Sequence, residues 1–113
     1  MLDTEKLIAN VDALMPNQYS KDQKIFWIEE LDRKIDYELR KTHIIPEDEE
    51  LKDPHESDMY QCWLKAMICK ENAEIAKYNQ QITMFNTYYA QFESWVNRTY
   101  YPVQPKPGNR YIF

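Results

Sequence analysis

Glycine is the residue type that this chain most clearly lacks. One glycine occurs among 113 residues, whereas average usage of about 7% would give roughly eight. Phosphate-binding loops and dinucleotide fingerprints need several glycines at fixed spacings, and a β-barrel with many tight turns needs them as well. The scarcity therefore excludes the familiar nucleotide-binding sites and argues against an all-β fold.

Long apolar runs are absent too. No stretch approaches the roughly 18 residues that a membrane-spanning helix requires. The first residues include Asp3, Glu5 and Lys6, which do not fit the basic and then apolar pattern of a secretory signal peptide. A net charge of −5 argues against general affinity for nucleic acid or anionic membranes. We expect a cytosolic protein that binds neither.

Histidine and cysteine are also scarce. His43 and His55 flank an acidic stretch, but no HExxH, paired CxxC or EF-hand spacing accompanies them. Cys62 and Cys69 are seven residues apart in a helical pattern, roughly 10 Å along one face and too far for a mutual disulfide. We expect half-buried, reduced structural thiols, no metal, no cofactor and no catalytic residue. The sequence thus favours a protein that is not an enzyme.

Aromatic residues, by contrast, are abundant, at 14% of the chain. Tyrosine and tryptophan are favoured at interfaces because an apolar ring carries a polar group. Charge is also unevenly distributed. Residues 1–58 hold 16 acidic and 8 basic side chains, whereas residues 59–113 hold 3 and 6. Halves of opposite sign either attract each other, within or between copies, or form separate solvated faces.

The hydrophobic periodicity predicts four helices, over about residues 4–14, 20–41, 57–71 and 74–98. Thr4 or Asp3 fits as the cap of the first helix, and Ser20 with Gln23 forms a capping box for the second. Asn72 is a candidate for the left-handed residue that ends the third helix. We predict an all-α fold, a four-helix up-and-down bundle over residues 1–101 with a long C-terminal helix.

The last helix has the clearest pattern. Its apolar residues alternate in steps of three and four, which is a heptad seam, formed by Ile75, Tyr78, Ile82, Phe85, Tyr89, Phe92 and Val96. At 1.5 Å per residue the helix is about 37 Å long, so we expect part of its aromatic surface to meet another chain. The interface candidates on this helix are Tyr78, Phe85, Tyr88, Tyr89, Phe92 and Trp95.

Two segments interrupt the helices. Residues 42–56 contain two prolines and an acidic cluster, formed by Glu47, Asp48, Glu49 and Glu50. Residues 102–113 contain three prolines within six residues, which favours an extended arm. The arm ends in a β-prone segment whose Arg110, Tyr111 and Phe113 are further interface candidates. This segment either adds as a strand to a partner or folds back on its own domain.

A set of aromatic and asparagine motifs gives the chain a family resemblance. The motifs are Pro16-Asn17-Gln18-Tyr19-Ser20, Tyr78-Asn79, Met84-Phe85-Asn86, Tyr88-Tyr89, Phe92, Trp95 and Asn97-Arg98-Thr99-Tyr100. Over residues 15–101 the chain resembles the small helical head-tail connector proteins, also called head completion or adaptor proteins, of tailed bacteriophages and prophages. The resemblance implies a structural protein that forms a ring under the portal and receives the tail.

The resemblance also implies partners and a location. The partners are other copies of the chain, the portal and tail-side proteins, and the location is the bacterial host's cytoplasm and then the virion. The acidic cluster at Glu47, Asp48, Glu49 and Glu50 is expected to flank the lumen, where negative charge keeps passing DNA from sticking. The alternative is a small cytosolic helical adaptor or regulator that binds one protein partner through its Tyr/Trp-rich face.

Overall fold

The computed structural model describes residues 3–51 and 56–103, and over these residues it is an all-α bundle. The four α-helices of this part of the chain are α1 (Thr4–Leu14), α2 (Lys21–Ile35), α3 (Glu56–Glu71) and α4 (Ile75–Thr99). Their bounds agree with the predicted ones to within a residue, except that α2 ends early. A π-helical turn, Asp36–Arg40, continues α2 where a regular helix was predicted.

The first two helices begin at the residues that the sequence offered as caps. Asp3 is the N-cap of α1, and its side chain accepts a hydrogen bond from the backbone N–H of Lys6. Ser20 does the same for Gln23 at the start of α2. Each cap satisfies a backbone donor that lacks a partner within the helix. Local sequence therefore determines where α1 and α2 start.

Helix α3 is the centre of the bundle and contacts all three other helices. A helix whose apolar residues surround it on most sides has to be covered by neighbours on most sides. The buried residues of α3 have this distribution, and they are Met59, Tyr60, Cys62, Leu64, Ala66, Met67, Ile68 and Cys69. Both cysteines are fully buried rather than half-buried as expected, because neighbouring helices cover the helix on either side.

A left-handed residue ends α3, but it is Ala73 and not the predicted Asn72. Ala73 has a φ of 57°, and its N–H donates to the carbonyl of Lys70 while the N–H of Glu74 donates to that of Cys69. This pair of bonds is the Schellman motif. Asn72 instead uses its side chain, which accepts from the Tyr19 hydroxyl at 2.5 Å. That tertiary contact could not be seen in the local sequence.

Helix α4 buries its seam unevenly. Phe85, Phe92 and Val96 are fully buried, and Tyr78, Ile82 and Tyr89 are half-buried. Ile75, the first residue of the seam, is 71% exposed. The molecule is elongated, with extents of 52 × 31 × 22 Å, and α4 alone is about 37 Å long at 1.5 Å per residue. The two ends of α4 are thus well separated.

Candidate interaction surfaces

The chain that follows α4 folds back onto the segment that follows the π turn. The Ile44 N–H donates to the Tyr101 carbonyl at 2.8 Å, and the Val103 N–H donates to the Thr42 carbonyl at 2.9 Å. His43 and Pro102 lie opposite each other in this short antiparallel bridge. The first residues of the predicted arm are therefore paired within the chain, while residues 104–113 lie outside the described part.

Side chains hold the same junction together. His43 has three partners. Its Nε2 lies 2.7 Å from Asn97 Oδ1, and its Nδ1 lies 2.9 Å from the Leu39 carbonyl oxygen and 3.0 Å from Thr42 Oγ1. The Tyr100 hydroxyl donates to the Glu49 carboxylate. Partial burial and this hydrogen bond raise the pKa of Tyr100 to about 12. The described part of the predicted acidic loop is thus attached to the end of α4.

The π turn places Glu38 at the contact between α2 and α4. Its carboxylate accepts from Lys34 at 2.8 Å and from the Tyr89 hydroxyl at 2.5 Å. These two hydrogen bonds lower the pKa of Glu38 despite its partial burial. Lys34 also lies 5.0 Å from the centre of the Tyr89 ring, within the range of a cation–π contact. Tyr89, a predicted interface residue, is therefore occupied within its own chain.

An apolar surface patch forms on the outer face of the bridge. Ile44 is 61% exposed, Tyr101 80% and Val103 52%. Because side chains alternate along extended chain, these three lie on the face opposite His43 and Pro102. We call Ile44, Tyr101 and Val103 the bridge patch.

Two more exposed apolar side chains lie at the end of the bundle where α1 ends and α4 begins. Leu14 is 66% exposed and Ile75 71%, and we call these two residues the hairpin patch. Leu14 borders a surface hollow of about 440 Å³, whose lining is Leu14, Met15, Pro16, Asn72, Glu74, Lys77, Gln80 and Gln81. The buried side-chain oxygen of Gln81 accepts no hydrogen bond from the described residues. The lining of the hollow therefore includes a residue whose buried acceptor is unpaired within the described residues.

A groove of about 500 Å³ separates α2 and the π turn from α3. Its apolar floor is Ile28, Ile35, Leu51, Tyr60 and Phe92. Its charged rim contains four carboxylates and two guanidinium groups, from Asp32, Asp36, Glu50, Glu56, Arg33 and Arg40. The Tyr60 hydroxyl donates to Asp32, and burial followed by this bond raises the pKa of Tyr60. The groove is apolar inside and predominantly acidic at its edge.

The structure separates the aromatic interface candidates into two groups. Phe85 and Phe92 lie in the core of the chain, so they offer no surface to a partner and are removed from the interface. Tyr78, Tyr88, Tyr89 and Trp95 are half-buried against the core. Arg110, Tyr111 and Phe113 lie outside the described residues. Sequence periodicity identified the apolar stripe of α4 but not which part of it the chain itself covers.

The acidic cluster is exposed. Glu47, Asp48, Glu49 and Glu50 all lie at the surface. Besides its side-chain contact with Tyr100, Glu49 accepts a hydrogen bond through its backbone carbonyl from Arg40 at 2.6 Å. The cluster is therefore presented on a fixed turn beside the bridge patch.

The described residues contain neither an activated thiol nor a cluster of metal ligands. Burial raises the pKa of both thiols, Cys62 and Cys69, which disfavours the nucleophilic thiolate. Over residues 3–51 and 56–103, no three His, Cys, Asp or Glu side chains lie close enough together to hold a metal ion. None of the described helices has the length and apolar character needed to cross a membrane.

Comparison with known proteins gives no relative. No family model matches the chain, and neither a curated protein nor a solved structure matches it.

Sequence reasoning missed the bridge patch and the groove. Ile44 and Tyr101 are 57 positions apart, and no local pattern indicates that they share a face. The only sequence signal for the bridge patch is the alternation of Tyr101 and Val103 around Pro102, which is typical of an extended edge. The groove depends on how α2, α3 and α4 meet, which no single segment specifies.

Proposed function

We propose that this protein is a non-enzymatic structural subunit that assembles head to tail into a ring, as a head-tail connector of a tailed phage or prophage. The observation that carries the proposal is the position of the two apolar patches. The hairpin patch lies at the start of α4 and the bridge patch just beyond its end, about 37 Å away along the helix. Exposed apolar surface at both ends of α4 allows each copy of the chain to contact one neighbour at each end.

Head-to-tail contacts join two different surfaces of identical chains. Such heterologous contacts close into a ring when the rotation from one copy to the next divides a full turn. The same proposal puts the acidic cluster beside the lumen of the ring. It also makes the portal and the tail the neighbours of the ring.

The test is self-association measured by sedimentation velocity over increasing concentration. The wild-type chain should sediment as a monomer when dilute and as a ring when concentrated or mixed with a portal. Ile75→Asp in the hairpin patch and Tyr101→Asp in the bridge patch should each abolish the ring. A matched control is Phe26→Ser, since Phe26 is exposed on α2 outside both patches and its loss should leave assembly unchanged.

Mixing the two assembly-deficient variants makes the test specific. Each variant keeps one intact patch, so an equimolar mixture should stop at dimers that form through the single contact still available. If the two variants alone form the same dimers, the contact is symmetric and the head-to-tail proposal is wrong. If the wild-type chain stays monomeric at all concentrations and instead binds one protein partner in a one-to-one complex, the adaptor or regulator alternative takes its place.

A further inference from the structure

The groove between α2, the π turn and α3 has the chemistry of a receptor for a short peptide. Its floor combines aliphatic and aromatic side chains, as binding pockets usually do, and four carboxylates against two guanidinium groups make its rim acidic. A segment that pairs a cation with bulky apolar residues would match both features. The groove's size, about 500 Å³, accommodates a few side chains.

The chain itself contains such a segment. Residues 110–113 read Arg-Tyr-Ile-Phe, one guanidinium followed by three large apolar side chains. Lys106 adds a second cation nearby. Neither an acidic residue nor a histidine occurs between Val103 and Phe113, so the side chains of this part of the chain carry positive charge, opposite in sign to the net charge of the rim.

The connecting chain is also long enough for the Arg-Tyr-Ile-Phe segment to reach the groove. Val103 lies opposite Thr42, only two residues beyond Arg40 on the rim, so the described chain stops roughly 10 Å from the groove. Six residues, 104–109, connect Val103 to Arg110, and they span at most about 20 Å when extended. The Gly108-Asn109 pair within this connection is a turn signal, which allows the chain to reverse. The segment can therefore reach the groove of its own chain.

We propose that the Arg110–Phe113 segment occupies the groove of its own chain, with Arg110 at the acidic rim and the apolar side chains on the floor. A short connection gives an effective concentration in the millimolar range, which favours the chain's own segment over that of a second copy. This inference goes beyond the proposed assembly, because it concerns the isolated subunit and holds whether or not rings form.

The experiment places a nitroxide spin label near the segment and records the amide spectrum of the full chain. Asn109→Cys introduces a new thiol for the label, while the two natural thiols, Cys62 and Cys69, are buried. At concentrations where the chain is monomeric, the amides of Leu51 and Asp36 should lose most of their intensity. The amide of Leu14, at the hairpin patch, should keep its intensity.

Two matched pairs of variants identify the contact. Tyr111→Ser combined with Phe113→Ser should restore the Leu51 signal, whereas Gln104→Ser in the connection should not. On the groove side, Leu51→Ser should restore the Asp36 signal, whereas Ile44→Ser in the bridge patch should not. Amide spectra without the label show that each variant is folded, so restored intensity reports release of the segment.

Mixing distinguishes the chain's own segment from that of a second copy. An isotope-labelled chain without nitroxide is mixed with a spin-labelled chain of natural isotope content. Broadening of Leu51 in that mixture means that the segment binds a second copy and overturns the proposal. If Leu51 keeps its intensity in both experiments, the segment does not occupy the groove and the proposal is also wrong. Failure here leaves the two-patch assembly test unaffected.

Discussion

The two halves of α4 carry the same heptad spacing but lie in different surroundings. In the C-terminal half, Phe92 and Val96 are buried. In the N-terminal half, Ile75 is exposed and Phe85, near the middle of the helix, is the one fully buried seam residue. The difference follows from the number of neighbours. Phe92 lies between α3 and α2, since it lines the groove with Ile28, while Lys77 and Gln81 border an open hollow. A seam therefore predicts which residues share a face and leaves open how much of that face the chain covers.

The largest expected effect is a difference in the free energy of unfolding between substitutions in the two halves of α4. Phe92→Ala removes a ring that is 1% exposed and should lower the free energy of unfolding by about 3–5 kcal/mol. Ile75→Ala, at a seam position in the less buried half, should change it by less than about 0.5 kcal/mol. Urea denaturation followed by circular dichroism measures both values. Similar costs for the two substitutions would show that the halves are equally buried.

A smaller effect is expected at the turn that leads into the exposed half. Ala73→Gly removes the steric cost of a left-handed conformation and should raise the free energy of unfolding by about 1 kcal/mol after allowance for the greater freedom of glycine when unfolded. Thermal and urea denaturation both report the gain. Asn72→Gly is the matched control and should destabilise, because Asn72 accepts the Tyr19 hydrogen bond. A gain at position 72 instead would place the left-handed residue there.

The smallest effect concerns Glu38, which joins α2 to Tyr89 at the middle of the seam. The pKa of Glu38 is lowered in the folded chain from a usual value of 4.5, so its contribution to stability is present above that value. This contribution is lost as pH falls through the lowered pKa. The side chain is 39% exposed, and solvent screening keeps the contribution small.

Glu38→Gln should therefore destabilise the chain slightly at neutral pH and converge with the wild type in acid. Urea denaturation at a series of pH values measures the difference. Glu29→Gln, at an exposed position of α2, is the control and should leave the acid dependence of stability close to that of the wild type. If the Glu38→Gln difference persists undiminished in acid, ionisation of Glu38 does not contribute.

Much of the fold could be predicted from local sequence. Residues such as Asp3 and Ser20 cap their helices through bonds to residues three positions away, and the apolar periodicity of each helix specifies its inner face. The π turn could not be predicted this way, because Asp36–Arg40 continues the helical pattern. Two residues of the turn have partners outside the helical pattern. Glu38 contacts Tyr89, which is distant in the sequence, and Arg40 contacts Glu49, which lies in the loop.

The candidate surfaces were less predictable than the helices. The exposure of the acidic cluster matches its composition, since charged side chains rarely lie buried without partners. The burial of Phe85 and Phe92 did not follow from their chemistry, because an aromatic residue on a helical stripe suits a core and an interface equally well. Only the packing of α4 against the rest of the bundle, chiefly α3, decides between the two.

The sequence by itself determined an all-α chain with four helices, their starting points and the apolar stripe of each. Hydrogen bonds and side-chain periodicities within a few residues specify these features. The tertiary structure alone decided that three of the seven α4 seam residues are core, that Ile44 joins Tyr101 on one patch and that a groove lies beside the π turn. Those features depend on contacts between residues far apart in the chain, and such contacts exist only once the helices have packed.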